Sequence, residues 1–254
     1  MHERYLIANW KMNLPPEGID GYLDAVTPGG VSPPNVVIAP PFPYLRQAVA
    51  RGARVAAQNC ADQKAGAFTG EVSVSMLADC GARFVIVGHS ERRGIYHEND
   101  ATIARKLAMA IDAGLTPVLC VGEDLACRDA GMAGAFIADQ IRAVAIPQLE
   151  GGAAVIVAYE PIWAIGTGRN ASGFLCAETV AEVRSAVSRF WPASYGDRTP
   201  VLYGGSVTPD NIADLEANGA VDGYLVGGAS LDSGKMRAIL RGMSGQEAEG
   251  RGQR

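Results

Sequence analysis

The sequence predicts an α/β fold in which eight parallel strands close into a (β/α)8 barrel with outer helices, a single domain over residues 1–243. Three observations predict it. Short, β-branched, nearly continuous apolar runs recur eight times along the 254 residues, the pattern of strands buried on both faces. Amphipathic stretches lie between them, and strict strand–helix alternation implies parallel pairing through right-handed crossovers. Eight such units in about 250 residues suit a closed barrel better than an open sheet. No G-x-G-x-x-G follows the first run, which weakens a dinucleotide-binding open sheet.

The elements follow in order. RYLIANW (4–10) is the first strand, and PPEGIDGYLDAV after it carries two glycines that make a weak helix. VVIAPP (36–41), RVAAQN (54–59) and FVIVGHS (84–90) are the second, third and fourth strands, and SERR after the fourth looks like a helix start. NDATIARKLAMAIDAG (99–114) has helical spacing, with Asn99 and Asp100 as caps and Gly114 as its stop. TPVLCVGE (116–123) is the fifth strand, followed by the helical stretch AGAFIADQIRAVA (133–145). AVIVAYEP (154–161) is the sixth strand, and CAETVAEVRSAVSRFW (176–191) the helix that packs back from it. PVLYGGS (200–206) and GYLVGGA (223–229) complete the set. The last eleven residues, SGQEAEGRGQR (244–254), have no apolar face and read as a disordered C-terminal tail.

Composition excludes several function classes. The net charge is −5 and the 22 basic residues are scattered, which argues against nucleic acid or an anionic membrane as partner. No apolar run approaches the roughly 20 residues that span a bilayer. MHERYLIANWK lacks the features of a signal peptide, and five cysteines without tight spacing read as reduced thiols. A cytoplasmic location is therefore expected. The three histidines and five cysteines are dispersed, so no metal site is expected.

In a barrel, chemistry sits where the strands end. The strand ends deliver Asn9 and Lys11, Gln58 and Asn59, His89, Ser90 and Glu91, Cys120 and Glu123, and Glu160. The last two strands deliver the glycine pairs Gly204–Gly205 and Gly227–Gly228, with Ser206 after the first. Glycine pairs let backbone N–H groups approach an anion, and a barrel's phosphate site often follows strands seven and eight. One such pair alone reads as a tight turn; two on adjacent strands favour an anion site. Glu160 alone reads as a surface acid. Its context, Pro161, Ile162, Trp163, Ala164, Ile165, Gly166, Thr167 and Gly168, suits an apolar lid that closes over a general base and expels water. His89 at a helix start is disfavoured as imidazolium, so a neutral ring there donates to a carbonyl oxygen. Lys11, flanked by Trp10 and Met12, suits a partly buried cation facing a phosphate or developing oxyanion.

ANWKMN, GAFTGE, VGHSERR, AYEPIWAIGTG, YGGSV and GYLVGGAS occur in this order, and together they resemble the motifs of the triosephosphate isomerase family over about residues 5–240. The resemblance implies interconversion of dihydroxyacetone phosphate and glyceraldehyde 3-phosphate through an enediolate, in glycolysis and gluconeogenesis. It implies Glu160 as base, His89 as proton shuttle, and Lys11 and Asn9 as stabilisers of negative charge. Gly166, Ser206, Gly227 and Gly228 are implied as phosphate ligands. Glu91 is implied as a buried partner of the Asn9–Lys11 region, with Ser90 and Cys120 close behind the site. Tyr159, Glu123 and Trp163 resemble the set that anchors the open lid; Tyr203 and Ser206 resemble those that hold it closed. Arg92 and Arg93 read as structural ion-pair formers. No cofactor is implied, because the proton moves within one substrate. The loop Phe68, Thr69, Gly70 and Glu71 is implied to enter a second copy, making a homodimer.

The pattern departs from the family at the far end of the lid. The family commonly continues Lys-Thr-Ala and then a proline-containing helix start; here stand Arg169, Asn170, Ala171 and then Ser172, Gly173 and Phe174. Altered lid kinetics with intact chemistry are expected. A paralogous isomerase of a four-carbon ketose phosphate, and a non-catalytic phosphate-binding barrel, remain as alternatives.

Overall fold

Each of the eight apolar runs forms a strand: β1 Tyr5–Asn9, β2 Val36–Ala39, β3 Arg54–Ala57, β4 Phe84–Val87, β5 Thr116–Val121, β6 Ile156–Tyr159, β7 Val201–Tyr203 and β8 Gly223–Val226. In the computed structural model, which describes residues 4–27, 36–164 and 171–244, these strands pair in sequence order into a closed barrel. All ladders are parallel, and the seam closes where Tyr5 faces Gly223 and Ile7 faces Leu225.

Strand alternation divides the apolar residues into two layers. Tyr5, Ile7, Val37, Ile86, Val118, Cys120, Ile156, Ala158 and Leu202 belong to the cluster inside the barrel. Their neighbours Leu6, Ala8, Val36, Ile38, Leu119 and Val157 belong to the layer shared with the helices. A strand flanked by apolar material on both sides must be apolar throughout, which is why these runs carry no polar period. Each large side chain so buried stabilises the fold by about 1.5–3 kcal/mol.

Ten α-helices occupy the described residues: α1 Gly18–Val26, α2 Leu45–Ala50, α3 Val74–Asp79, α4 Ser90–Gly94, α5 Asp100–Asp112, α6 Leu125–Asp129, α7 Ala133–Ala143, α8 Gly173–Phe190, α9 Ile212–Asn218 and α10 Ser233–Met243. The glycine-bearing α1 forms because Ile19, Tyr22, Leu23 and Val26, spaced along one face, are buried; packing overrides propensity. Asn99 caps α5 by accepting from the Thr102 amide, at 2.9 Å. α8 starts at Gly173 rather than at Cys176, with Ser172 as its cap. None of the described helices is long and apolar enough to cross a membrane. The five cysteines are free thiols. Beyond Ser244, the expected tail lies outside the described residues.

Candidate active site

A cavity of about 370 Å³ opens at the C-terminal ends of the strands and is lined by Asn9, Lys11, His89, Glu160, Ser206, Gly227 and Gly228, among others. Parity explains part of this gathering. Tyr5 and Ile7 face the barrel interior, as do Ile156 and Ala158, so Asn9 and Glu160, each two residues further on, emerge into the mouth. His89 has the opposite parity to its strand's inward residues. Gly88, with φ 71, breaks the alternation just before it and turns the imidazole into the cavity.

Glu160 is 2 % exposed. One carboxylate oxygen accepts from the Ser90 amide at 2.8 Å, and the other lies 3.0 Å from His89 Nε2. His89 Nδ1 accepts from the Glu91 amide at 3.2 Å. That bond occupies the Nδ1 lone pair, so the proton of the neutral ring sits on Nε2 and donates to Glu160. The Glu91 carboxylate is further from Nδ1, at 3.6 Å. His89 is therefore both the cap of α4 and a donor aimed into the site.

Glu160 and its surroundings are held by close backbone packing. A side chain at Gly122 would place Cβ 1.8 Å from the Glu160 carbonyl oxygen, so β5 presses against the residue that carries the base. Cys120 is fully buried. Its thiol is held well above the usual range by burial first and by the Glu160 carboxylate second, so it stays protonated and packs beneath the site.

Lys11 adopts φ 51, a left-handed conformation uncommon outside glycine and a form of strain that collects at functional sites. Three contacts hold it there. Its amide donates to Asn9 Oδ1 at 3.1 Å, Gln58 Nε2 donates to its carbonyl at 2.8 Å, and its ammonium pairs with Glu91 Oε1 at 2.7 Å. The expected partner Glu91 is thus in contact, but its side chain is 42 % exposed in this chain. Glu91 lies in the first turn of the short helix α4. Asn59 points elsewhere, accepting from the buried Lys106 at 2.8 Å.

The glycine pairs divide their work. The Gly204 amide donates to the Tyr159 carbonyl at 2.7 Å, which removes it from an anion grip. A Cβ there would lie 3.0 Å from Glu160 Cγ, and one at Gly205 would lie 2.3 Å from the Tyr203 hydroxyl oxygen. This pair makes room for the base and for Tyr203. Ser206, Gly227 and Gly228 line the cavity, and Lys11 Nζ lies 3.8 Å from where a Gly227 Cβ would be. A cation beside glycine-rich backbone has the chemistry that suits an anion.

Behind the start of the candidate lid lies a network that the sequence showed only in part. Glu123 Oε1 accepts from Trp163 Nε1 at 2.8 Å and from the Tyr159 hydroxyl at 3.2 Å. Arg128 completes it, donating to Glu123 at 2.9 Å and, at 3.0 Å each, to Tyr159 and Thr179. No sequence pattern marks Arg128, because its partners come from three elements. Arg93 donates to the Gly88 carbonyl at 2.8 Å and to Asp100 at 2.6 Å, and Arg92 pairs with Glu98. Ile165, Gly166, Thr167, Gly168, Arg169 and Asn170 lie outside the described residues, while Pro161, Ile162, Trp163 and Ala164 lead up to them.

A second cavity, of about 330 Å³, opens at the N-terminal ends of β5–β7 and contains Thr116, Tyr195 and Arg198 but no carboxylate or imidazole. In the first cavity a carboxylate, an imidazole N–H and an ammonium converge, the groups that proton transfer uses.

The chain matches the triosephosphate isomerase family model over residues 4–243. It is 44 % identical over 250 residues to the triosephosphate isomerase of Stenotrophomonas maltophilia strain K279a, covering 95 % of this chain and 98 % of the relative. It is 45 % identical over 246 residues to that of Alcanivorax borkumensis, covering 95 % and 99 %. With the triosephosphate isomerase of Taenia solium it shares 42 % identity over 229 residues, 88 % of this chain and 92 % of the relative.

Proposed function

The chain belongs to the triosephosphate isomerase family, and from that premise we infer that it interconverts dihydroxyacetone phosphate and glyceraldehyde 3-phosphate by moving one proton between adjacent carbons. The observation that carries the assignment of roles is the Glu160–His89 contact of 3.0 Å inside a cavity shared with Lys11.

The steps follow from the contacts. Substrate phosphate settles against the backbone of Ser206, Gly227 and Gly228, with Gly166 as the further ligand that the family pattern implies. The substrate carbonyl takes over the His89 Nε2–H that now donates to Glu160. Freed of that donor, the Glu160 carboxylate removes the proton from the adjacent carbon and returns it to its neighbour, while His89 Nε2 gives its proton to the carbonyl oxygen and takes one from the neighbouring hydroxyl, so that the carbonyl changes carbon and the ring ends as it began. Negative charge on the enediolate oxygen is met by His89, Lys11 and Asn9, whose positions are set before the reaction begins. Residues 161–168 close over the site as a lid. Closure excludes water, which protects an enediol phosphate that otherwise loses phosphate.

Steady-state isomerisation of dihydroxyacetone phosphate, measured beside a four-carbon ketose phosphate, tests this function. Efficient three-carbon turnover is expected. Stronger four-carbon turnover would move the chain to a paralogous reaction with the same proton transfer. Phosphate binding with no turnover of either would mark a non-catalytic barrel.

The working unit is proposed to be a homodimer joined through the loop around Thr69. Phe68 at its tip is 46 % exposed, and Met12, Ile95 and Tyr96, which follow β1 and β4, are 93 %, 66 % and 63 % exposed. Large apolar side chains so placed mark a surface that another chain covers. The partner's Thr69 loop would brace Lys11 and enclose Glu91. Specific activity is expected to fall on dilution in step with dissociation followed by sedimentation. Constant activity in a demonstrated monomer would overturn the proposal.

A further inference from the structure

The imidazole of His89 stands on a weak local scaffold. Its strand, β4, ends at Val87, and α4, which it caps, has only five residues, too few to hold together without outside support. The cap bond from the Glu91 amide to Nδ1 is 3.2 Å long. Between strand and helix stands Gly88 at φ 71, a turn that glycine makes without steric cost but with the largest loss of chain freedom. Such a turn keeps one geometry only if something packs against it and takes up its carbonyl.

Arg93 does both. Its Nε donates to the Gly88 carbonyl at 2.8 Å, Nη1 to Asp100 Oδ1 at 2.6 Å and Nη2 to the Cys120 carbonyl at 3.3 Å. These acceptors belong to the turn itself, to the first turn of α5 and to β5. Arginine suits the place because its planar guanidinium aims several donors in fixed directions. The side chain is 15 % exposed, so water competes little for these bonds. It also fills the space beside the turn: a Cβ on Gly88 would lie 3.1 Å from Arg93 Nη2 and 3.2 Å from Ile103 Cδ1. In the barrel, Cys120 faces Ala158 of β6, two residues before Glu160. One side chain therefore joins the turn that aims the imidazole to the strand beside the one that carries the base.

We propose that Arg93 is a positioning residue for the proton transfer: by tying the Gly88 carbonyl to α5 and β5 it fixes the His89 ring, so that Nδ1 keeps the Glu91 amide and the Nε2–H points at the reacting oxygen. The proposal rests on the reaction inferred above and gives Arg93 a task beyond its ion pair with Asp100. Arg93 does not line the reaction cavity; it acts through the backbone of Gly88. Without it the turn relaxes and the Glu91 amide draws away from Nδ1. Neither neutral tautomer is then held, and the ring no longer presents a fixed donor. The cavity residues Lys11, Ser206, Gly227 and Gly228 follow β1, β7 and β8, so binding of the substrate is kept while the chemical step slows.

The test compares wild type with Arg93→Gln, Arg93→Lys and Asp100→Asn, with Arg142→Gln, an exposed arginine of α7 paired with Asp139, as the charge control. Measured on the full chain are kcat and KM for dihydroxyacetone phosphate, the melting temperature, and the ring-nitrogen NMR shifts of His89, assigned against His89→Gln. A ring held in one neutral tautomer shows two well-separated nitrogen shifts; exchange between tautomers, or protonation, draws them together. Arg93→Gln should lower kcat by about 10- to 10²-fold, the range for a displaced reacting group, with KM near wild type and the two shifts drawn together. Arg93→Lys keeps the pair with Asp100, and so the melting temperature, but recovers only part of kcat, because its single head cannot serve Gly88, Asp100 and Cys120 together. Asp100→Asn leaves the bond to Gly88 and should stay close to wild type in kcat, as should Arg142→Gln. A lower melting temperature in Arg93→Gln with wild-type kcat and unmoved His89 shifts would reduce Arg93 to an ion-pair former and overturn the proposal; so would a raised KM at unchanged kcat. Should Arg93→Gln not fold, Arg93→Lys carries the comparison, and wild-type kcat and shifts in it would overturn the proposal equally. A wild type without isomerase activity would defeat the reaction itself. The His89 shifts would still decide the brace, and unmoved shifts would overturn it.

Discussion

Replacing Glu160 with Gln lowers kcat for dihydroxyacetone phosphate by about 10³-fold, within the range for loss of a positioned general base, while KM changes little. The side-chain shape is kept, and the amide oxygen still accepts from the Ser90 amide that now bonds the carboxylate at 2.8 Å. Packing is therefore preserved and the melting temperature stays close to that of wild type. What disappears is basicity, together with the acceptor for the His89 Nε2–H, because the amide NH2 now faces that donor. Glu160→Asp separates reach from charge: the carboxylate remains but withdraws by one methylene, and a misplaced base costs on the order of 10²-fold. The two variants together, measured by steady-state kinetics and thermal unfolding, give a graded series. A Gln variant within tenfold of wild type would remove Glu160 from the proton transfer.

Lys11→Met has the second large effect, a fall of about 10²- to 10³-fold in kcat/KM, the range for removing one preorganised donor to a developing oxyanion. Methionine keeps much of the stem and deletes the charge. On the proposed roles the loss should divide between KM and kcat, because an ammonium beside Gly227 would face the phosphate in the ground state and the enediolate oxygen in the transition state. Inhibition by inorganic phosphate should weaken in parallel. The variant also leaves Glu91 without its 2.7 Å partner, so a carboxylate then faces the anion. Glu91→Gln in the Lys11→Met background should recover part of the phosphate affinity. Wild-type phosphate inhibition in Lys11→Met would show that the cation lies outside the grip.

Both predictions start from residues that the sequence exposes and geometry that it does not. Lys11 stands out because a lysine directly follows a buried apolar run, and Glu160 because a lone acid ends one. The partners of each were out of reach. The Ser90 amide meets Glu160 across 70 positions, Gln58 meets the Lys11 carbonyl across 47, and Arg93 meets the Cys120 carbonyl across 27. No local period encodes such pairs. Gly204 teaches the complementary point: its motif suggested an anion ligand, but its amide belongs to the barrel ladder with Tyr159. Arg128 carries no motif at all, although it joins Glu123, Tyr159 and Thr179.

By itself the sequence determined the eight strands, the parallel barrel and the end at which chemistry gathers. The reason is that burial on both faces writes itself into every strand as a continuous apolar run, and parity then orients the residues that follow. Only the tertiary structure decided which oxygen of Glu160 meets His89, which tautomer the imidazole holds, how far Glu91 is exposed, and that Arg93 spans Gly88, Asp100 and Cys120. Those depend on close approach between segments distant in sequence, where a tenth of a nanometre separates a hydrogen bond from no contact and a missing Cβ decides whether two backbones can meet.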